Sequence, residues 1–305
     1  MKCASGVDLG GTKIEIIALG DGGETRLRER VPTPTGDYRS IVRTIRDLVT
    51  NAEERLGQKA TVGVAIPGTV SAKTGLVKNS NSTALLGHPL DKDLQSALVR
   101  TVRVANDANC FALSEATDGA GEGARTVFGI IAGTGVGAGI CADGRVLLGP
   151  HAIAGEWGHN PLPAPSPAEV PGPQCYCGKT GCIEAWLSGP ALEGQFRRLA
   201  NRTLGAKEIA EAAGEGDVAA LSVMENFYDR WARAIATVMN ILDPDAIVMG
   251  GGLSNIAALY RELPERIARY AFTTEGPVPV LQNRHGDSSG VRGAAWLWGK
   301  DEASP

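Results

Sequence analysis

Short apolar runs that end in glycine or in a polar residue recur along the chain. Runs of this length, bounded by turn-forming residues, are typical of β-strands. We predict strands at ASGVDL (4–9), IEIIAL (14–19), TVGVAIPG (61–68), TVRVAND (101–107), TVFGIIAGTG (126–135), VGAGICADG (136–144) and AIVMGGG (246–252).

Helical periodicity appears in the segments between these runs. Residues 37–57 carry an apolar stripe that ends at Gly57, and ANCFALSEA (108–116) starts a helix directly after a strand. We also predict a long helix over residues 217–242 and a short apolar helix at GVRGAAWLW (290–298). Strands and helices along one chain predict an α/β protein.

One structural unit is used twice. GVDLGGTKIEIIAL (6–19) and GIIAGTGVGAGICA (129–142) each read as a strand, a turn with Gly and Thr, and a returning strand. Such self-similarity predicts two related lobes that face each other across a cleft. The glycine-rich, polar stretch DGAGEGA (118–124) suggests the boundary. We expect a small lobe over 1–118, joined by the C-terminal helix 289–299, and a large lobe over 119–288.

Composition narrows the class of protein. The 305 residues are 43% apolar and 21% charged, with a net charge of −4, so the chain lacks the basic field that attracts nucleic acid. No apolar run reaches membrane-spanning length, and MKCASGVDLGG lacks the apolar core of a secretory signal. We therefore expect a cytoplasmic protein with reduced thiols that binds neither nucleic acid nor membrane.

Three glycine-rich turns follow predicted strands. Glycine turns expose backbone N–H groups that bind phosphate oxygens, and three of them indicate a nucleotide held from several sides. Asp8, at the mouth of the first turn, is placed to hold hydrated Mg²⁺. The candidate ATP-binding residues are Gly10, Gly11, Thr12, Lys13, Gly133, Thr134, Gly135, Gly137, Gly251 and Gly252.

A dinucleotide-binding site is the alternative for the second turn. GTGVGA (133–138) matches G-x-G-x-x-A, and Glu156 follows at a suitable distance. That fingerprint must open a helix, however, and the residues after it read as a strand and hairpin. The context therefore favours a phosphate-binding turn between two strands.

A second candidate centre lies where the strand 101–107 becomes a helix. Asp107 could simply cap that helix, as Asp often does. It could instead accept the proton of an alcohol during phosphoryl transfer, with Asn106 holding a neighbouring hydroxyl. Glu156, His159 and Glu184 add further polar groups, and such a set suits a polyol such as a sugar.

Three of the six cysteines fall within CYCGKTGC (175–182). They could be inert core residues, but the spacing favours a structural Zn²⁺ site formed by Cys175, Cys177 and Cys182. The nearest upstream fourth ligand is His159. Fifteen residues lie between His159 and Cys175, six of them proline, so this segment predicts an ordered loop that returns His159 to the cysteines.

Together these motifs resemble the ROK family of bacterial sugar kinases. The resemblance rests on VDLGGTK, IPG, NDANCFALSEA, GTGVGAGI, GEWGH, CYCGKTGCIE and GGGLSN, in this order over nearly the whole chain. It implies the two-lobed actin-like ATPase (ribonuclease H-like) fold, with ATP and Mg²⁺ in the cleft between the lobes. It also implies Asp107 as the catalytic base, zinc at the Cys3His set, and sugar contacts from Gly68, Asn106, Glu156, His159 and Glu184.

The expected substrate follows from the branch of the family. VKNSNST, GEWGHNPLP and HGDSSGVRGAAWLW are most similar to the fructokinase (mannofructokinase) branch, which predicts phosphorylation of D-fructose to fructose 6-phosphate. Kinases of glucose, mannose or N-acetylglucosamine share the polar residues and are the alternatives. The family's sugar-responsive repressors carry an N-terminal helix-turn-helix; only five residues precede Gly6 here, so we expect a kinase and not such a repressor. We expect a homodimer.

Overall fold

A computed structural model describes residues 3–299 as a mixed α/β structure with two five-stranded sheets. The sheet orders are β3-β2-β1-β4-β7 and β10-β9-β8-β11-β12, with β5 and β6 as a separate pair. The strands described are β1 (Ala4–Leu9), β2 (Lys13–Leu19), β3 (Thr25–Pro32), β4 (Thr61–Ile66), β5 (Thr69–Val70), β6 (Val77–Lys78), β7 (Val102–Asn106), β8 (Thr126–Ala132), β9 (Val136–Ala142), β10 (Arg145–Val146), β11 (Ala246–Gly250) and β12 (Val280–Gln282).

Helices cover both sheets. Those described are α1 (Tyr38–Leu56), α2 (Leu90–Leu98), α3 (Asp107–Thr117), α4 (Ile183–Leu187), α5 (Gly189–Ala200), α6 (Ala206–Gly214), α7 (Val218–Leu242), α8 (Ala258–Tyr270) and α9 (Ser289–Trp296). The predicted helix 37–57 is confirmed: Asp37 caps its start, and Gly57 ends it in the left-handed conformation, with φ of 68°. The long helix predicted over 217–242 is confirmed as α7.

The two large sheets have the same connectivity, as the sequence repeat predicts. In the first sheet, β1 pairs antiparallel with β2 and parallel with β4, and β4 pairs parallel with β7. In the second sheet, β8 pairs antiparallel with β9 and parallel with β11, and β11 pairs parallel with β12. This duplicated sheet with helical cover confirms the actin-like ATPase fold.

The C-terminal helix packs against the first sheet although it follows the second in sequence. A side-chain carbon on Gly6 of β1 would lie 2.0 Å from the carbonyl oxygen of Val291, and one on Gly63 of β4 would lie 1.9 Å from that of Ala294. Glycine at these two positions therefore lets α9 approach the strands closely. The sheets divide between residues 106 and 126, and a lobe boundary near residue 118 stays a prediction.

The hydrophobic cores follow the two sheets. One buried cluster contains β1, β2, β4, α1 and α2, and a larger one contains β8, β11 and the helices α4 to α8. Among the helices described, none combines the length and apolar composition needed to cross a membrane.

Candidate active site

A cleft of about 780 Å³ opens where strands of the first sheet end. The first glycine turn, the start of α3 and the segment before α9 all reach it. Its lining residues are Asp8, Leu9, Gly10, Gly11, Thr12, Lys13, Pro67, Asn81, Ser82, Asp107, Phe111, Ile131, Gly251, Gly286, Asp287, Ser289 and Gly290. The structure thus brings the first predicted phosphate turn and Asp107, the predicted base, into one cleft.

Asp8 is the carboxylate at the mouth of the first turn, one residue before β1 ends. Burial and, to a smaller extent, the negative charge of Asp107 together raise the pKa of Asp8 to about 7. Two carboxylates that disfavour each other's ionisation can both become charged when a cation lies between or beside them. The electrostatics therefore fit the expected cation site at Asp8.

Asp107 begins α3, but the residue that caps this helix is Asn106. The side chain of Asn106 accepts hydrogen bonds from the backbone N–H groups of Ala108 at 2.9 Å and Asn109 at 3.4 Å, and its amide donates to the carbonyl oxygen of Gly68 at 3.2 Å. The capping role considered for Asp107 therefore belongs mainly to its neighbour. Asp107 remains available to the cleft, with one carboxylate oxygen accepting from the Ala108 N–H at 2.8 Å.

The pKa of Asp107 is raised by burial, and the nearby charge of Glu156 adds to the effect. Glu156 opens a 3-10 turn, Glu156–His159, that lies against β9 of the second sheet. A carboxylate with a raised pKa is a stronger proton acceptor once ionised. The arrangement can therefore accept a proton from an alcohol bound beside Asp107.

The second and third glycine turns lie against each other. A side-chain carbon on Gly133 would be 3.7 Å from the backbone nitrogen of Gly252, and one on Gly251 would be 2.4 Å from the carbonyl oxygen of Ala132. Gly251 lines the cleft, whereas Gly133, Thr134, Gly135, Gly137 and Gly252 do not line it in this conformation. The structure thus places two of the three predicted turns on the cleft and the other one beside them.

Glu184 supports the second turn. Its carboxylate accepts a hydrogen bond from the backbone N–H of Val136 at 2.8 Å, and a side-chain carbon on Gly135 would lie 2.6 Å from the same oxygen. Glu184, which was predicted as a sugar contact, is therefore tied to the second glycine turn. Gly68 is held in the left-handed region, with φ of 98°, where an added side chain would meet the Lys78 carbonyl at 2.7 Å.

The predicted metal ligands come together. The Nδ1 atom of His159 lies 3.7 Å from Sγ of Cys175, the Sγ atoms of Cys177 and Cys182 lie 3.6 Å apart, and all four ligand atoms fall within 4.8 Å of one another. Ligands of a tetrahedral Zn²⁺ with Zn–S bonds of ~2.3 Å are separated by about 3.8 Å. The donor set and its spacing therefore fit zinc.

The proline-rich segment between His159 and Cys175 is anchored by a buried ion cluster. Glu169 accepts hydrogen bonds from Arg230 at 2.7 Å and Arg233 at 2.9 Å, and Arg233 also donates to the carbonyl oxygens of Pro163 and Ala164 at 2.8 Å. The segment is thus tied to α7, which sequence patterns did not reveal.

The pKa of Glu169 reflects this cluster. Burial alone would raise the pKa, but hydrogen bonds from Arg233, from the Ser166 N–H and from Arg230 outweigh burial and lower the pKa to about 2. The carboxylate therefore stays ionised, and its pairing with α7 holds over a wide pH range.

Four cleft residues and one neighbour of His159 were missed by sequence reasoning. Asn81, Ser82, Asp287 and Ser289 line the cleft, and Tyr176 contacts His159. The first four lie in the polar stretches VKNSNST and HGDSSG, which were interpreted only as markers of a family branch. Polar residues clustered in loops beside glycines were the signal that could have identified them.

Comparison with known proteins agrees with this geometry. The model of the ROK family matches residues 4–301. An N-acetyl-D-glucosamine kinase from Yersinia enterocolitica is 40% identical over 296 residues, covering 96% of this chain and 98% of the relative. Among solved structures, a ROK hexokinase from Thermus thermophilus has a TM-score of 0.84 at 30% identity, covering 97% of each chain. A ROK glucokinase from Streptomyces griseus in complex with glucose and AMPPNP has a TM-score of 0.75 at 29% identity, covering 97% of this chain and 98% of that one.

The expectation of a fructokinase is wrong. Full-length curated relatives at about 40% identity are N-acetyl-D-glucosamine kinases. The similarity of HGDSSGVRGAAWLW to fructokinases was a poor guide to the substrate. Most of this stretch forms α9, where Val291, Ala294 and Trp296 are buried, so its sequence is determined by packing and not by contact with the sugar. The match over nearly the whole chain, with the cleft and the Cys3His set in place, shows that this chain belongs to the ROK family.

Proposed function

We propose that this protein is an ATP-dependent kinase that phosphorylates N-acetyl-D-glucosamine. One observation carries the kinase part: Asp107 shares a single cleft with Asp8 and the glycine turn of residues 10–13. The choice of sugar is supported by the N-acetyl-D-glucosamine kinases that are about 40% identical to this chain over nearly their full length.

Asp107 acts as the general base in this proposal. As the sugar's primary 6-hydroxyl oxygen attacks the γ-phosphorus of ATP in line, its proton passes to the Asp107 carboxylate, the bond to the bridging oxygen breaks, and ADP leaves. The raised pKa of Asp107 favours this acceptance, and the N-terminus of α3 keeps the carboxylate in place.

The glycine turns hold the nucleotide in this proposal. Backbone N–H groups of residues 10–13 and 133–137, with those of Gly251 and Gly252, face the phosphates from the two lobes. Asp8 would hold hydrated Mg²⁺, which neutralises phosphate charge when bound. Closure of the lobes, divided near residue 118, would bring the second turn onto the cleft and exclude water.

The sugar is held by two walls. One wall, here called the strand-end wall, consists of Gly68, Asn106 and Asp107. The other, here called the metal-loop wall, carries Glu156, His159 and Glu184. The Cys3His set would hold a structural zinc, since all four tetrahedral positions are taken by protein ligands. With Nδ1 of His159 turned toward Cys175, Nε2 is the ring nitrogen that faces away from the metal set and would bind a sugar hydroxyl.

The test is a coupled ADP-release assay of the purified protein with MgATP and a panel of N-acetylglucosamine, glucose, mannose and fructose. We expect the highest kcat/KM with N-acetylglucosamine, by about tenfold or more, because its acetamido group offers contacts that a plain hydroxyl does not. A preference for glucose or mannose would contradict the assigned sugar. Sugar binding without turnover on any hexose would favour a sugar-binding regulator. Cytoplasmic location and a homodimer stay predictions.

A further inference from the structure

Tyr176 lies between two of the metal-ligating cysteines, and nothing above gives it a role. Its ring is largely exposed, whereas Cys175 on one side is buried. Its phenol oxygen is 3.1 Å from Nε2 of His159, and the two rings meet edge to face, with centroids 5.2 Å apart and an interplanar angle of 81°. Because Cys175 and Cys177 fix the backbone on both sides, the Tyr176 side chain has a fixed base but room to rotate.

The contact involves the one His159 nitrogen that matters for the sugar. Nδ1 faces the Sγ atom of Cys175, so Nε2 is the nitrogen with a free direction. A ring nitrogen makes one hydrogen bond. The phenol of Tyr176 therefore occupies the position that the proposed function gives to a sugar hydroxyl.

We propose that Tyr176 is a movable cover of the sugar site, which exchanges with a sugar hydroxyl at His159 Nε2. This inference rests on the proposed function. When the hydroxyl takes its place, the phenol is released and the ring packs on the apolar C–H surface of the bound sugar. The hydroxyl of Tyr176 thus competes with the sugar, while its ring stabilises the bound sugar, so the two parts of one side chain act in opposite directions.

Two substitutions separate these effects. Tyr176→Phe removes the competing hydroxyl and keeps the ring, so the KM for the sugar should fall by about 2- to 10-fold, the value of one hydrogen bond. Tyr176→Ala also removes the ring, so its sugar KM should exceed that of Tyr176→Phe. In both variants kcat, the KM for ATP and the zinc content should match the wild type, because Tyr176 belongs neither to the proposed phosphate-binding turns nor to the Cys3His set.

The control is Phe272→Ala, which removes an aromatic ring that is 99% exposed outside the site. It should leave every kinetic constant unchanged. Equal sugar KM values for the wild type and both Tyr176 variants would overturn the proposal, as would a higher KM for Tyr176→Phe. The assays use the best hexose of the panel, and sugar binding is measured by calorimetry if no hexose is phosphorylated. A wrong choice of sugar, or even of reaction, would thus be distinguished from a wrong role for Tyr176.

Discussion

The strand-end wall is held by regular secondary structure, whereas the metal-loop wall depends on contacts between side chains. Asn106 and Asp107 stand at the junction of β7 and α3, where backbone hydrogen bonds fix them. His159 belongs to a loop that Glu169 ties to α7 and that zinc at the Cys3His set would fix further. A change in the first wall should therefore affect chemistry, and a change in the second should affect stability and sugar binding.

The largest effect is expected from Asp107→Asn, which keeps the shape of the strand-end wall but removes the base. We expect kcat to fall by about 10²–10⁴-fold while sugar binding persists. The measurement is steady-state ADP release, with sugar affinity by calorimetry. Asp287→Asn removes another carboxylate that lines the same cleft and should cost far less. A kcat near the wild-type value in Asp107→Asn protein would refute the assignment.

A smaller effect on catalysis is expected from Cys177→Ala, which opens the metal-loop wall. Zinc should fall from one atom per chain toward none, the melting temperature should drop, and sugar KM should rise by about tenfold, since His159 loses its fixed orientation. Metal analysis, thermal melting and kinetics measure these three outcomes. His159→Gln should raise sugar KM in the same way.

Cys141→Ala is the matched control, since this buried thiol in β9 lies outside the metal cluster. It should keep its zinc. Wild-type protein purified without chelator but lacking zinc would contradict the site. An unchanged KM in folded Cys177→Ala protein would show that the metal only stabilises the loop.

The smallest effect on turnover is expected from Glu169→Gln, which removes the anchor of the proline-rich segment. Breaking a buried ion pair from one side costs about 3 kcal/mol of unfolding free energy, while kcat at 25 °C should stay close to the wild-type value. Asp229→Asn is the control, because this second partner of Arg233 is 39% exposed, whereas Glu169 is 7% exposed, so its loss should cost less, about 1 kcal/mol. Urea unfolding gives both values, and equal stabilities of the two variants would contradict the anchoring role.

The pH dependence of this variant sharpens the comparison. The pKa of Glu169 is lowered to about 2 in the folded protein, so its stabilisation is fully present above the unfolded pKa of about 4.3. The stabilisation is lost as the pH falls from there toward 2. The stability difference between wild type and Glu169→Gln should therefore be constant near pH 7 and shrink below about pH 4. A constant difference at acidic pH would contradict the ion pair.

The strand-end wall could be predicted from the sequence because its signals are local. An apolar run followed by Asn106 and Asp107 marks the end of a strand and the start of a helix within a few residues. The Cys3His set was also predictable, because cysteine spacing carries the metal chemistry. The cleft residues Asn81 and Asp287 were not, because their loops have no periodicity.

Two features could not be predicted from local patterns: the anchoring of the proline-rich segment, and the identity of the sugar substrate. Glu169 and Arg230 are 61 positions apart, and no local pattern indicates that they pair. The Tyr176 contact depends on a side-chain direction that the cysteine motif does not encode. The choice of fructose relied on similarity in stretches that form loops or pack in the core. Similarity in such stretches does not show whether the site accepts a hydroxyl or an acetamido group on the sugar.

Identification of the product by NMR tests the central claim most directly, namely that Asp107 activates the primary hydroxyl of N-acetylglucosamine toward ATP. Purified protein is incubated with MgATP and N-acetylglucosamine, and the product is examined by ³¹P and ¹H spectra. The account predicts one new phosphomonoester whose phosphorus couples to the two protons on C6, with ADP formed in equal amount. A phosphorus coupled to the proton on C1, or ATP left intact with this sugar while glucose or mannose is phosphorylated, would contradict it.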